Sequence, residues 1–117
     1  MANFGFIINR SPFVGGHLET LYGLADAALE KEHQVFIFLN NDSVIAPLRH
    51  QKSLEEGKSP KEIVEKLIQR GAEVILSDLD LKMRGLDRSK FFIDGVKTGG
   101  LPDIAEAIAD MDKLITL

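Results

Sequence analysis

The chain has 117 residues, of which 44% are hydrophobic and 27% charged; its formal net charge is −4 and it has no cysteine. That balance describes one globular domain over 1–117, long enough to bury roughly two-thirds of the surface its unfolded form exposes. The missing cysteine excludes disulfides, thiolate metal sites and sulfur carried on the chain's own thiol. No basic stripe offers itself to a nucleic acid, and no apolar run approaches the roughly 20 residues that span a membrane. The start lacks a basic segment and a cleavage site, so no signal peptide is expected and the expected compartment is the cytoplasm.

Phe4-Gly5-Phe6-Ile7-Ile8 has too few polar positions for a half-exposed strand and reads as one covered on both faces. Asn9–Gly16 is a loop, broken by Pro12 and Gly15-Gly16. From His17 to Lys31, Leu18, Leu21, Tyr22, Ala25, Ala28 and Leu29 recur in steps of three and four, one face of a helix. Val35–Leu39 is the second strand. Asn40–Ser43 is a turn and cap cluster, followed by a short helix from about Ser43 to His50, limited by Pro47. The polar stretch 51–58 is expected to be the most mobile internal one. Ser59-Pro60-Lys61-Glu62 is a capping box with proline at the first helical position. The helix it opens runs to Arg70, turns Ile63, Val64, Leu67 and Ile68 inward, and stops at Gly71.

Glu73–Leu76 is the third strand, Ser77–Arg84 an undecided mixture, and Phe91–Ile93 an extended piece. Val96–Thr98 is a short fourth strand. Pro102–Met111 is the last helix, with Ile104, Ala105 and Ile108 inward, and Lys113–Leu117 is the final strand. Strands alternating with helices predict an α/β fold, a three-layer α/β/α sandwich around a five-stranded, mainly parallel sheet. The pattern leaves the strand order open.

In such a sheet every strand-to-helix loop emerges at one edge, where ligands bind. A cleft for a small anion there would draw on Arg10, Ser11, Asn41, Asp42, Ser77 and Asp78. The loop before the first helix favours anions through its free backbone N–H groups, with Arg10 and His17 as further donors, although neither phosphate-binding glycine spacing is present. Asp42, Asp78 and Asp80 fit helix caps better than a cation pocket, and the three histidines lack ligand spacing, so neither metal nor cofactor is expected. His17 is expected near the cleft edge, His33 and His50 at the surface. Phe13, Val14 and Phe91–Ile93 are either contact surface or a cover over the core.

Several segments, in order and spacing, carry a resemblance. They are Ile7–Gly16, Asp42–Ala46 with Arg49–Lys52, Met83-Arg84-Gly85-Leu86, Ile93–Gly99 and Met111–Leu117. Through them the chain resembles the DsrE/DsrF-like family, and within it the YchN type. The resemblance implies a DsrEFH-like fold, assembly into trimers or hexamers, and relatives that act in sulfur relay. In those relatives a cysteine after the third strand accepts sulfur as a persulfide and passes it to a partner protein. That position is Ser77 here, and the YchN type's second cysteine falls at Asp80. Serine is close in shape but cannot carry sulfur. The expectation is a non-catalytic subunit or scaffold, a homo-oligomer or a hetero-oligomer with DsrE-like chains, with sulfur-transfer proteins as partners. The alternative is a binding module that uses the cleft.

Overall fold

The computed structural model describes residues 1–53 and 59–117. The β-branched and aromatic runs form five strands: β1 (Asn3–Ile8), β2 (Gln34–Leu39), β3 (Glu73–Ser77), β4 (Val96–Gly99) and β5 (Lys113–Thr116). They pair in the order β4-β3-β2-β1-β5, and every pairing is parallel. The helices are α1 (His17–Glu30), α2 (Pro60–Gln69), α3 (Asp78–Met83) and α4 (Leu101–Ala109).

The topology fixes the layers. Steps β1 to β2 to β3 to β4 all move the same way across the sheet, so right-handed crossovers put their helices on one face. The return from β4 to β5 runs the other way and puts α4 on the opposite face. Side-chain alternation agrees. Phe6, Ile8, Val35, Ile37, Leu39, Val74 and Leu76 form one buried cluster with α1, α2 and Leu81 of α3. Phe38 and Ile104 are buried outside it, on the face that α4 covers. Gly5 shows how closely that face is packed. A Cβ there would come within 2.8 Å of Met111 and 2.9 Å of Leu114, so the chain needs glycine at this point.

Local signals account for most boundaries. Ser59 caps α2 by accepting the Glu62 N–H at 3.3 Å, with Pro60 at the first helical position. Gly71 ends it at φ +104°. Four expectations need correction. The helix expected over Ser43–His50 is a 3-10 turn over Asn41–Ile45, after which Leu48 pairs with Phe92 in an isolated antiparallel bridge. Residues 78–83 form α3 rather than an indeterminate stretch. Phe91–Ile93 is extended only in part: Ser89–Phe91 is a 3-10 turn, Phe92 is extended in the bridge to Leu48, Phe92 and Ile93 are buried in the main core, and Phe91 packs against it. That outcome makes them core cover, not contact surface. Ala105 is exposed while Ile104 is buried, because a single helix over a narrow part of the sheet buries only one stripe.

The stretch expected to be mobile lies partly outside the described residues. Gln51 within it is anchored. Its Nε2 donates to the carbonyls of Ile45 (3.1 Å) and Ala46 (2.5 Å), and its Oε1 accepts the Lys61 N–H.

Candidate functional site

The parallel sheet brings Ile8, Leu39, Ser77 and Gly99 to its carboxyl edge. Ser43, fully buried, joins the first two strand ends: its hydroxyl lies 2.6 Å from the carbonyl oxygen of Ile8 and 2.7 Å from that of Asn40. The chain then turns through Asn41, held at φ +52°, a left-handed conformation that asparagine tolerates better than most residues. This turn aims the Asn41 N–H at Asp80 Oδ2, 2.7 Å away, while its side-chain amide reaches Asn9 Oδ1 at 3.5 Å.

Ser77 ends β3 and caps α3. Its hydroxyl, 4% exposed, accepts the Asp80 N–H at 3.4 Å. One turn further on, Arg84 crosses back. Its Nη1 donates to the Asp80 carbonyl at 3.1 Å and approaches Asp80 Oδ1 at 3.5 Å, and its Nη2 lies 2.9 Å from Asp42 Oδ1. The corner of β2 and β3 is therefore closed by its own side chains: each acidic group near it has a cationic or N–H partner. Asp78 faces away and pairs with Lys82 at 3.0 Å. That hydrogen bond and charge hold the exposed Lys82 ammonium above its usual pKa range.

Beside this corner, Asp78 and Thr98 line a cavity of about 440 Å³, with Asp87, Arg88, Phe92 and Gly95 on its other walls. Among the described residues, no three histidine, aspartate or glutamate side chains converge as a metal site would require.

The β1–α1 loop is a different environment. Ser11 folds it locally: its Oγ accepts the Phe13 N–H at 3.3 Å and its carbonyl the Val14 N–H at 3.4 Å. Gly15 turns with φ +80°, and an ideal Cβ on it would lie 3.7 Å from both Arg10 Nη1 and His17 Nδ1. His17, the first residue of α1, is 4% exposed, and among the described residues neither ring nitrogen has a hydrogen-bond partner. Burial first, then the Arg10 guanidinium, lowers its pKa from the usual 6.5. The Val14 and Arg10 carbonyls act in the opposite sense without a hydrogen bond of normal geometry. His33, expected at the surface, is partly buried: its Nδ1 accepts the Ala2 N–H at 3.0 Å, and its ring lies 5.0 Å from that of Phe4.

The single cleft expected from the sequence is thus divided. Asn41, Asp42 and Ser77 lie in the closed corner and Asp78 beside the cavity. Arg10 lies over the first loop with His17. Among the described residues, no hydrogen bond or ion pair joins Arg10 or Ser11 to Asn41, Ser77 or Asp78. Sequence reading missed Arg84, which holds the corner together. Arg84 stands in the Met83–Leu86 segment that carries the resemblance, and its place four residues after Asp80 is a spacing that pairs opposite charges on a helix.

A model of the DsrE/DsrF-like family matches residues 2–117. The chain belongs to that family. This DsrE/DsrF-like chain is similar in structure to the ychN protein from E. coli, with a TM-score of 0.88, 30% identity and complete coverage of both chains. MTH1491 from Methanobacterium thermoautotrophicum, a protein of unknown function, matches over the full length of both chains at 13% identity and TM-score 0.79. BT1422 from Bacteroides thetaiotaomicron matches at 12% identity and TM-score 0.71, over 97% of this chain and 94% of its own. These last two speak for the fold alone. No curated protein matches this DsrE/DsrF-like chain.

Proposed function

We propose that this protein is a DsrE-like subunit that carries no sulfur and serves its assembly as scaffold or docking surface. The resemblance sets Ser77 where relatives hold the sulfur-accepting cysteine and Asp80 where the YchN type holds a second one. The observation that carries the reading is how both residues are used. Ser77 is buried and caps α3, and the Asp80 carboxylate accepts the Asn41 N–H and faces Arg84. A hydroxyl is a weak nucleophile without a base beside it, and the one hydrogen bond of Ser77 Oγ among the described residues is to the Asp80 backbone. Of the positions suited to sulfur chemistry in relatives, one here caps a helix and the other ties two loops together.

Assembly draws support from apolar side chains left in solvent. Phe13 is 61% exposed, Val14 66%, Met83 72% and Leu101 63%, and such residues are enriched where chains meet. The partners in this reading are further copies of the chain or cysteine-bearing DsrE-like chains, with sulfur-transfer proteins docking on the assembly in the cytoplasm. No described helix is long and apolar enough to cross a membrane.

Native mass spectrometry tests the reading, on the chain alone and mixed with a cysteine-bearing DsrE-like relative. A trimer, hexamer or mixed oligomer is expected, and a monomer in both samples would refute it. Treatment with a persulfide donor adds no covalent sulfur to the wild-type chain; a stable adduct would refute the chemical half.

A further inference from the structure

We propose that the β1–α1 loop binds a small tetrahedral oxyanion, a free phosphate or the phosphate group of an organic monoester, between Arg10, the His17 imidazole and the first N–H groups of α1. This goes beyond the scaffold reading and does not depend on it.

Two independent observations meet at this point. The first is the helix start. α1 has 14 residues, and its N-cap, Gly16, has no side chain to accept a hydrogen bond. The opening N–H groups of a helix have no acceptor within the helix and carry the positive end of its dipole. The second is the imidazole. His17 is buried, yet among the described residues neither ring nitrogen makes a hydrogen bond of normal geometry, although the Val14 and Arg10 carbonyls lie beside it. A neutral imidazole always has one N–H donor and one acceptor nitrogen, and a buried donor left without an acceptor is costly. An acceptor brought in by a ligand removes that cost.

Arg10 supplies the charge. Its guanidinium is exposed and makes no ion pair among the described residues. Arg10 Nη1 and His17 Nδ1 flank the same point above Gly15, each 3.7 Å from where a side chain would begin. Glycine keeps that space open, and its positive φ disfavours any other residue. A tetrahedral anion presents oxygens in several directions at once, which suits a guanidinium and a ring N–H that flank one point next to a helix start. Glu19, in the first turn of α1, is the acidic group that works against binding, so the expected affinity is moderate. A bound anion also counters the burial and the Arg10 charge that now keep His17 neutral, so its ring pKa rises on binding.

The test is an NMR titration of the full chain with inorganic phosphate, against sodium chloride at equal ionic strength. The expected result is saturable shifts confined to the amides of residues 15–19 and the His17 ring, with an upward move of the His17 titration. Arg10→Ala, at an exposed position, should weaken binding about tenfold, which is about 1.4 kcal/mol and the scale of one charge-assisted hydrogen bond. Equal shifts with chloride, no saturation, or unchanged affinity in Arg10→Ala would each overturn the proposal. A parallel titration with phenyl phosphate separates the sources: tighter binding assigns the site to organic phosphate monoesters, and equal or weaker binding to the free anion.

Discussion

Two loops at the same sheet edge meet the problem of polar groups near a core in opposite ways. At the β2–β3 corner, Asn41, Ser77 and Asp42 are linked through Asp80 and Arg84, and beside them Ser43 bonds the Ile8 and Asn40 carbonyls. At the β1–α1 loop, His17 is buried without a hydrogen bond of normal geometry, and Arg10 stands over it without an ion pair among the described residues. Satisfied networks rigidify a fold, whereas an unsatisfied buried group needs an explanation of its own. The contrast teaches that the polar groups at the β2–β3 corner are used up by one another, while the donors without partners among the described residues lie one loop away.

The largest effect expected from breaking this contrast comes from Asp80→Ala. It leaves the Asn41 N–H without its acceptor and removes one of the two carboxylates that face Arg84, and should cost about 2–3 kcal/mol. Urea unfolding with an unchanged m-value would measure it. Arg84→Met should cost less, about 1–2 kcal/mol, because Asp80 keeps the Asn41 N–H and Asp42 is 67% exposed. Ser77→Ala removes a helix cap and should cost about 1 kcal/mol. Ser77→Cys should fold and label slowly with alkylating reagents, since the side chain it replaces is covered; rapid labelling would mean that the corner opens.

The first loop should respond to pH. The folded-state pKa of His17 lies below 6.5, so below that pH the unfolded chain binds more protons than the folded one. Stability is complete above about 6.5 and falls as pH drops toward the folded-state value. His17→Gln should flatten that part of the profile, as read by thermal melts across the range. The smallest effect is expected from Arg10→Ala. Without a bound anion it should change stability by no more than about 0.5 kcal/mol, which sharpens the difference from Arg84.

The sheet was legible because its signal is local and redundant. Ile8, Val35, Ile37, Leu39, Val74 and Leu76 lie in short apolar runs flanked by Gly, Asn or Ser, so each strand announces itself. Ser59 and Gly71 marked both ends of α2 for equally local reasons. α3 escaped because six residues are too few to show a helical period, and Leu79 is exposed where Leu81 is buried. Phe91–Ile93 read as extended because aromatic and β-branched residues favour strands, yet they cap the core through a bridge to Leu48 that is distant in sequence. The edge residues were legible as a set, because parallel topology gathers them. Which of them would touch was not: the Arg84–Asp42 and Asn41–Asp80 contacts join residues 42 and 39 positions apart. The burial of His17 was hidden for the same reason, since Arg10 and His17 meet only after Gly15 has turned the loop.

Hydrogen exchange at a single amide, that of Asn41, measures most directly whether the Ser77–Asp80 corner is a latch. The wild-type amide should be protected nearly as well as its β2 neighbours, with protection lost in Asp80→Ala while the β2 amides keep theirs. An Asn41 amide that exchanges freely in the wild type would mean the carboxylate does not hold the turn, and that the corner is open to chemistry after all.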